Sequence, residues 1–253
     1  MNDQQTKHLS ELLTSHRKRL DVLELQSAKF GLYTPAHITL EIEEIVSEIQ
    51  KISLKLNYSS ESTSNLQNDC IRVLFLCSDP TDASRLRLQE EVREIQNTLQ
   101  LSKLRDKFIF SVRTSIRPSD LSQSLLDIKP NIVHFSGHGN SLGEIYFETQ
   151  DGKAFPVSPD ALSLLFKSFS LEINCIILNA CYSEIQAISI SKYINYLIGM
   201  QAAIGDKAAI AFSVGFYQAI GAGRNVEDSF ELGRIQVGLY GIPEHQTPIL
   251  IKK

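Results

Sequence analysis

A thiol and an imidazole are the two halves of a nucleophile–base pair, and this chain carries one of each at the end of an apolar, β-branched run. Ile132-Val133-His134-Phe135-Ser136-Gly137-His138-Gly139 leads to His138, and Ile176-Ile177-Leu178-Asn179-Ala180-Cys181-Tyr182-Ser183 leads to Cys181. Both runs read as strands. As parallel neighbours in an open sheet, their carboxyl ends would open into the crevice where such sheets hold ligands, and the two side chains could meet. The imidazole would take the thiol proton, and the thiolate would attack an electrophilic carbonyl. Taken alone, a cysteine after an apolar strand is most often a small core residue. Cys181 differs because the chain turns there into a helix whose amino terminus would favour the thiolate. His138 lies between Gly137, which permits a sharp turn, and Gly139, whose bare backbone can approach a substrate closely.

The neighbouring candidates carry less. By strand alternation His134 shares a face with Ser136 and His138, so it reads either as a buried, hydrogen-bonded histidine or as a residue that positions His138. A zinc site from His134, His138 and Cys181 would have only three ligands at uncharacteristic spacing, and no metal is expected. Cys77 and Cys175 read as core residues, and Cys70 has no evident role. The glycines from 137 to 143 lack the lysine and following Ser/Thr of a phosphate-cradling loop.

The elements that must hold these groups follow from pattern. The chain has 253 residues, 43% of them hydrophobic, 21% charged, with net charge −4. That is room for one α/β domain and a small appendage, with no field that would attract nucleic acid. No apolar run suggests a membrane span, and the first residues lack the pattern of a signal peptide. Four scattered cysteines suit a reducing cytoplasm.

Residues 7–30 read as a helix through Leu9, Leu13, His16, Leu20, Leu23 and Phe30, stopped at Gly31. Thr34-Pro35 then opens a second helix with Ile38, Ile42, Ile45, Ile49, Ile52 and Leu56 in a heptad seam. Residues 1–57 should therefore form an antiparallel hairpin, with Val22, Leu25, Leu40, Val46 and Leu54 off the seam. It either docks on its own catalytic domain or serves as an adaptor module. Residues 58–69 read as a polar linker.

Beyond residue 70 strands and helices alternate. Strands are expected at 71–77, 108–114, up to His138, up to Cys181, 196–201 and 248–251, with a hairpin over 144–148 and 153–157. Helices are expected at 83–101, 119–128 with Ser119 as cap, 158–169, 206–222 and 226–240. Phe212, Phe216 and Tyr217 read as helix packing. The alternation predicts an α/β fold with a mainly parallel sheet covered on both faces.

The order of histidine before cysteine, the His-x-x-x-His-Gly stretch from His134 to Gly139 and the Asn-Ala-Cys stretch from Asn179 to Cys181 resemble the caspase-like peptidases, the clan of caspases, separases and gingipains. Within that clan they are most similar to the bacterial CHAT domains. The resemblance implies a caspase-like peptidase over residues 70–253 acting on protein substrates without a cofactor. It implies His138 as general base, Cys181 as nucleophile and the N–H groups of Gly139 and Cys181 as oxyanion hole, with no third catalytic member. It places Asn179, two residues before the cysteine, at the pocket for the residue preceding the cut. An acid there accompanies cleavage after Lys or Arg, and a neutral Asn179 weakens that preference without establishing an acidic one. By the same analogy Met200 and Gln201, at the head of the stretch to Asp206, border the substrate cleft.

The hairpin is similar to the small effector-associated domains of bacterial conflict systems, which implies a sensor or adaptor partner, or self-association through residues 1–57. The reading is a cytoplasmic cysteine endopeptidase switched on through its hairpin in anti-phage or cell-death signalling. Two others stand beside it: a non-catalytic scaffold, and a cysteine hydrolase or transferase for a small acyl or amide substrate. An open cleft favours peptide cleavage, and a closed, deep pocket the small substrate.

Overall fold

In the computed structural model, which describes residues 12, 15, 16, 18–20, 22, 23, 26, 35–60 and 70–253, the chain divides into two units, residues 1–69 and 70–253. In the first, the isoleucine heptad folds as α1 (Ala36–Ser60), and the described positions between 12 and 26 are helical. Leu20 and Leu23 pack with Ile38, Ile42, Ile45 and Ile49. Arg19 pairs with Glu41, and His16 Nε2 stands 3.4 Å from Glu48, so partners rise in number on one helix as they fall on the other, as an antiparallel pair requires. Val22, Leu40 and Val46 remain exposed. The helix continues through Ser60, past the expected linker start at Tyr58. Leu9, Leu13, Leu25, Phe30, Gly31, Thr34, the side chains of Leu54 and Leu56 and residues 61–69 lie outside the described set.

In the second unit a six-stranded sheet runs in the order β2-β1-β3-β6-β7-β8. These are β1 (Ile71–Cys77), β2 (Phe108–Arg113), β3 (Ile132–Ser136), β6 (Cys175–Asn179), β7 (Tyr196–Met200) and β8 (Pro248–Lys252). All neighbours are parallel except β8, which pairs antiparallel with β7 at the edge. A separate antiparallel hairpin, β4 (Ile145–Glu148) and β5 (Ala154–Val157), pairs Ile145 with Val157. The helices are α2 (Leu88–Leu101), α3 (Pro118–Ile128), α4 (Pro159–Lys167), α5 (Glu184–Ile190), α6 (Asp206–Gly221) and α7 (Val226–Leu239).

Strand alternation sorts the core into two faces. Val73, Phe75, Ile177, Ile198 and their like pack with α2, α6 and α7 residues such as Ile95, Phe212, Phe216 and Phe230. Leu74, Leu76, Val133, Phe135 and Ile176 pack on the other side with Leu121, Leu125, Leu162 and Ala187 of α3, α4 and α5. On the first face, His134 and Ser136 of β3 and Asn179 of β6 occupy positions that would otherwise be apolar, and all three are buried.

Several boundaries differ from the sequence pattern, and those near the strand ends have a physical reason. The helix expected from Ala83 begins only at Leu88, because 79–87 is tied elsewhere: Asp79 Oδ1 accepts from Leu86 N, Thr81 N donates to Gly152 O and Asp82 Oδ1 accepts from Ala154 N. α3 starts at Pro118, not after a Ser119 cap; the backbone N–H of Arg117 and its guanidinium both donate to Asp120. The two strands stop at Ser136 and Asn179, so His138 and Cys181 sit on the loops just beyond.

Candidate active site

β3 and β6 are adjacent and parallel, with Ser136 opposite Asn179. Gly137 N donates to Asn179 O at 3.2 Å, which closes the two strand ends together. A Cβ on Gly137 would stand 2.8 Å from Ser78 O, so only glycine fits the strand's exit. A Cβ on Gly139 would run into the Cys181 carbonyl oxygen, so the backbones carrying His138 and Cys181 abut directly. His138 and Cys181 line one narrow crevice, together with Asn179, Leu86 and Ile204.

The histidine ring is held by the 79–87 loop. Its Nε2 donates to Ser84 O at 2.7 Å, with Asp79 Oδ1 4.0 Å away. With the proton on Nε2, Nδ1 is the basic nitrogen. The loop is fixed in turn through Asp79, whose Oδ2 accepts from Arg85 and whose N–H donates to Glu148 Oε1 at 3.0 Å. No sequence pattern marks a backbone carbonyl, so Ser84 could not be read in advance.

Behind Cys181 the turn is sharp and tied down. Tyr182 takes a left-handed φ of 57°, costly for a side-chain-bearing residue. Its N–H donates to Ala202 O, and the buried Ser183 hydroxyl bridges Leu178 O at 2.6 Å and Met200 N at 2.9 Å. Among the described residues nothing accepts from the N–H of Gly139 or of Cys181. Tyr146 N donates to His138 O and Asn140 N to Glu144 O, flanking Gly139 and leaving its own N–H turned away from the β4 side. The thiol of Cys181 lies 3.9 Å from Ile204 O and is partly exposed. Burial, then the charge of Glu91, pushes the Cys77 thiol up to about 12, and burial pushes Cys175 higher still.

Beneath the crevice lies a polar cluster that the sequence pattern did not single out. Glu91, in the first turn of α2 and only 2% exposed, accepts from Ser136 Oγ at 2.5 Å, Asn179 Nδ2 at 2.7 Å and Ser213 Oγ at 2.7 Å. His134 Nε2 stands 3.3 Å from it, and His134 Nδ1 lies 3.2 Å from the Tyr217 hydroxyl. Burial opposes its ionisation, but the bonds from His134, Ser136 and Ser213 outweigh that and hold its carboxyl below the usual range. The available signal was periodicity: Leu88, Glu91, Ile95 and Leu99 are the buried stripe of α2, and Glu91 is its one charge.

His134 therefore lies in this cluster, stacked between Phe75 and Tyr217, with both ring nitrogens turned to Glu91 and Tyr217. Met200 and Gln201 do not reach the crevice. Met200 is fully buried in the core because its alternation points it at α6, and the Gln201 amide donates to Gln246 O. The same stretch meets the crevice three residues on, through Ile204 and Asp206.

The architecture has solved and curated counterparts. The X-ray structure of a secreted C11 cysteine protease from Bacteroides thetaiotaomicron, in complex with an irreversible peptide inhibitor, superposes with TM-score 0.54 and 13% identity, covering 72% of this chain and 66% of that one. A Roc-COR-CHAT protease from an unidentified prokaryote is 26% identical over 206 residues, 76% of this chain and 19% of that protein. This chain has the caspase-like fold and is similar in sequence to a CHAT protease. A probable protease from Gillisia limnaea is 24% identical over 196 residues, 71% of this chain and 35% of the relative. The chain thus spans 19% and 35% of the lengths of these curated relatives. No protein-family model matches it.

Proposed function

We propose that this chain is a CHAT-type cysteine endopeptidase in which Cys181 is the nucleophile and His138 the general base and acid. One observation carries this: His138 and Cys181 line the same crevice, at the carboxyl ends of adjacent parallel strands. Ser84 O holds Nε2–H of His138, so Nδ1 takes the Cys181 proton as sulfur bonds to the substrate's carbonyl carbon. The oxyanion accepts from the unpaired N–H groups of Gly139 and Cys181. The C–N bond then breaks as His138 returns the proton to the leaving amine. Water, deprotonated by the same nitrogen, releases the acyl group and restores the thiol.

Residues 1–57 are read as a docking element for a sensor protein or a second copy, in bacterial conflict signalling in the cytoplasm. Val22, Leu40 and Val46, exposed outside the hairpin's own seam, support it. No described helix is long and apolar enough to cross a membrane. The test maps new amino termini by mass spectrometry in a lysate treated with wild type, Cys181→Ala or His138→Ala, with and without forced clustering of the hairpin. Termini lost in both variants support the peptidase, and termini seen only on clustering support the hairpin as switch. Termini independent of Cys181 under both conditions would instead favour a scaffold.

A further inference from the structure

We infer that the β4–β5 hairpin aligns His138 for catalysis, with Asp82 and Thr81 as positioning residues that act through the 79–87 loop. This rests on the peptidase reading above.

His138 is gripped at two points, and both lead back to the hairpin. Its backbone oxygen accepts from Tyr146 N of β4 at 3.0 Å, and its ring Nε2 donates to Ser84 O at 2.7 Å. Ser84 belongs to a stretch that burial does not hold. From Thr81 to Arg87 no residue is buried, and the chain there forms neither helix nor strand. Such a segment takes its place from its hydrogen bonds. Thr81 N and Thr81 Oγ1 both donate to Gly152 O, at 2.8 and 3.0 Å. Asp82 Oδ1 accepts from Ala154 N at 2.8 Å, and Asp79 N donates to Glu148 Oε1 at 3.0 Å. Each of these bonds ends on the hairpin or its turn.

The hairpin is a firm reference. At its base Ile145 and Phe147 are buried in the core, and Glu148 N donates to Ile116 O at 3.0 Å. At its turn Thr149 N donates to Lys153 O, Lys153 N to Thr149 Oγ1 and Gly152 N to Thr149 O. Gly152 takes the left-handed φ of 75° that this turn needs, so the carbonyl facing Thr81 is fixed. Backbone and ring of His138 are thus referred to one rigid element, by a circuit that closes through Ser84, Asp82 and Thr81.

Opening that circuit at Asp82 leaves the loop its internal bonds, such as Ala83 N to Pro80 O and Leu86 N to Asp79 Oδ1, which shape it without fixing its distance from β5. Ser84 O would then shift, and Nδ1 of His138 with it, against the thiol of Cys181. A misplacement of about 1 Å between reacting groups can cost about a hundredfold in rate. Thr81 and Asp82 are exposed, so their bonds compete with water and add little to the stability of the fold. Alignment is what they supply.

The test compares the full-length wild type with Asp82→Ala, Asp82→Asn and His138→Ala, each with a melting curve. Iodoacetamide at about pH 7 is the probe, read by mass on Cys181 with Cys70 as reference in the same digest. Cys181 should react about tenfold slower in Asp82→Ala than in wild type, approaching His138→Ala. On a peptide carrying a site recovered from the lysate, kcat should fall by about tenfold with KM held within about twofold. Asp82→Asn keeps an acceptor for Ala154 N and should restore both readouts to within about threefold. Should Asp82→Ala not fold, Thr81→Val removes only the hydroxyl bond to Gly152 O, with an expected loss of about threefold. Wild-type reactivity in a folded Asp82→Ala, or a loss that Asp82→Asn shares in full, would overturn the inference and leave the peptidase standing. A Cys181 that reacts no faster than Cys70 and ignores His138→Ala, with no hydrolysis, would overturn both.

Discussion

An alanine at position 139 would drive its methyl group into the Cys181 carbonyl oxygen, and the two loops would have to part to admit it. The N–H of Gly139 would move with them, away from the developing oxyanion. Gly139→Ala should therefore lower kcat by about a hundredfold, the order seen when one oxyanion donor is lost, and, because the clash is with backbone, lower the melting temperature as well. Steady-state kinetics and a melting curve check it together. The four free cysteines should also separate cleanly. Cys77 and Cys175 are buried, and burial holds both as thiols at neutral pH. Alkylation at about pH 8, read by peptide mapping, should mark Cys181 and Cys70 and spare the other two until the protein unfolds.

Glu91 is where helix, strands and pH meet, because one carboxylate on α2 is bonded to β3, β6 and α6. Its folded carboxyl titrates below the ordinary 4.5. The stability it adds is therefore complete above the unfolded value and is lost as pH falls through the folded one. Wild type should exceed Glu91→Gln in urea midpoint at about pH 7, and the gap should close toward about pH 3. A gap that stayed constant would mean the charge is not what matters. The same element shows what sequence could and could not convey. The sheet, its helices and the placing of His138, Asn179 and Cys181 at one end followed from apolar periodicity and two short motifs. That one crevice gathers those three residues is set by β3 lying beside β6, which follows from tertiary pairing. Residues 83–87 were expected in the helix because Leu86, Val92, Ile95 and Leu99 keep helical spacing, while the bonds that forbid helix tie the loop to Asp79 within it and to Gly152 and Ala154 far along the sequence. Met200 was misplaced because strand alternation, not proximity to the motif, decides which side chains of β7 face the crevice.

Among the described residues, the two clusters that sandwich the sheet are made of residues beyond 70, and the hairpin seam of residues before 60. Large aromatics such as Phe75, Phe212, Phe216 and Tyr217 are fully buried. A fragment of residues 70–253 should therefore unfold in one cooperative transition, at a midpoint close to the matching transition of the full chain. Phe212→Ala within it should cost about 3–5 kcal/mol, since the ring packs against Phe216 and Phe230 on the face that carries Glu91. Because the crevice residues all come from the fragment, hydrolysis of a short peptide should survive removal of residues 1–69. Signal-dependent cleavage of a protein substrate should not, if the hairpin supplies recruitment. Calorimetry on the fragment and the full chain, with both substrates assayed on each, separates the two roles. A fragment that melts far lower or without cooperativity would make the hairpin part of the fold, and loss of short-peptide hydrolysis from a well-folded fragment would make it part of the catalyst.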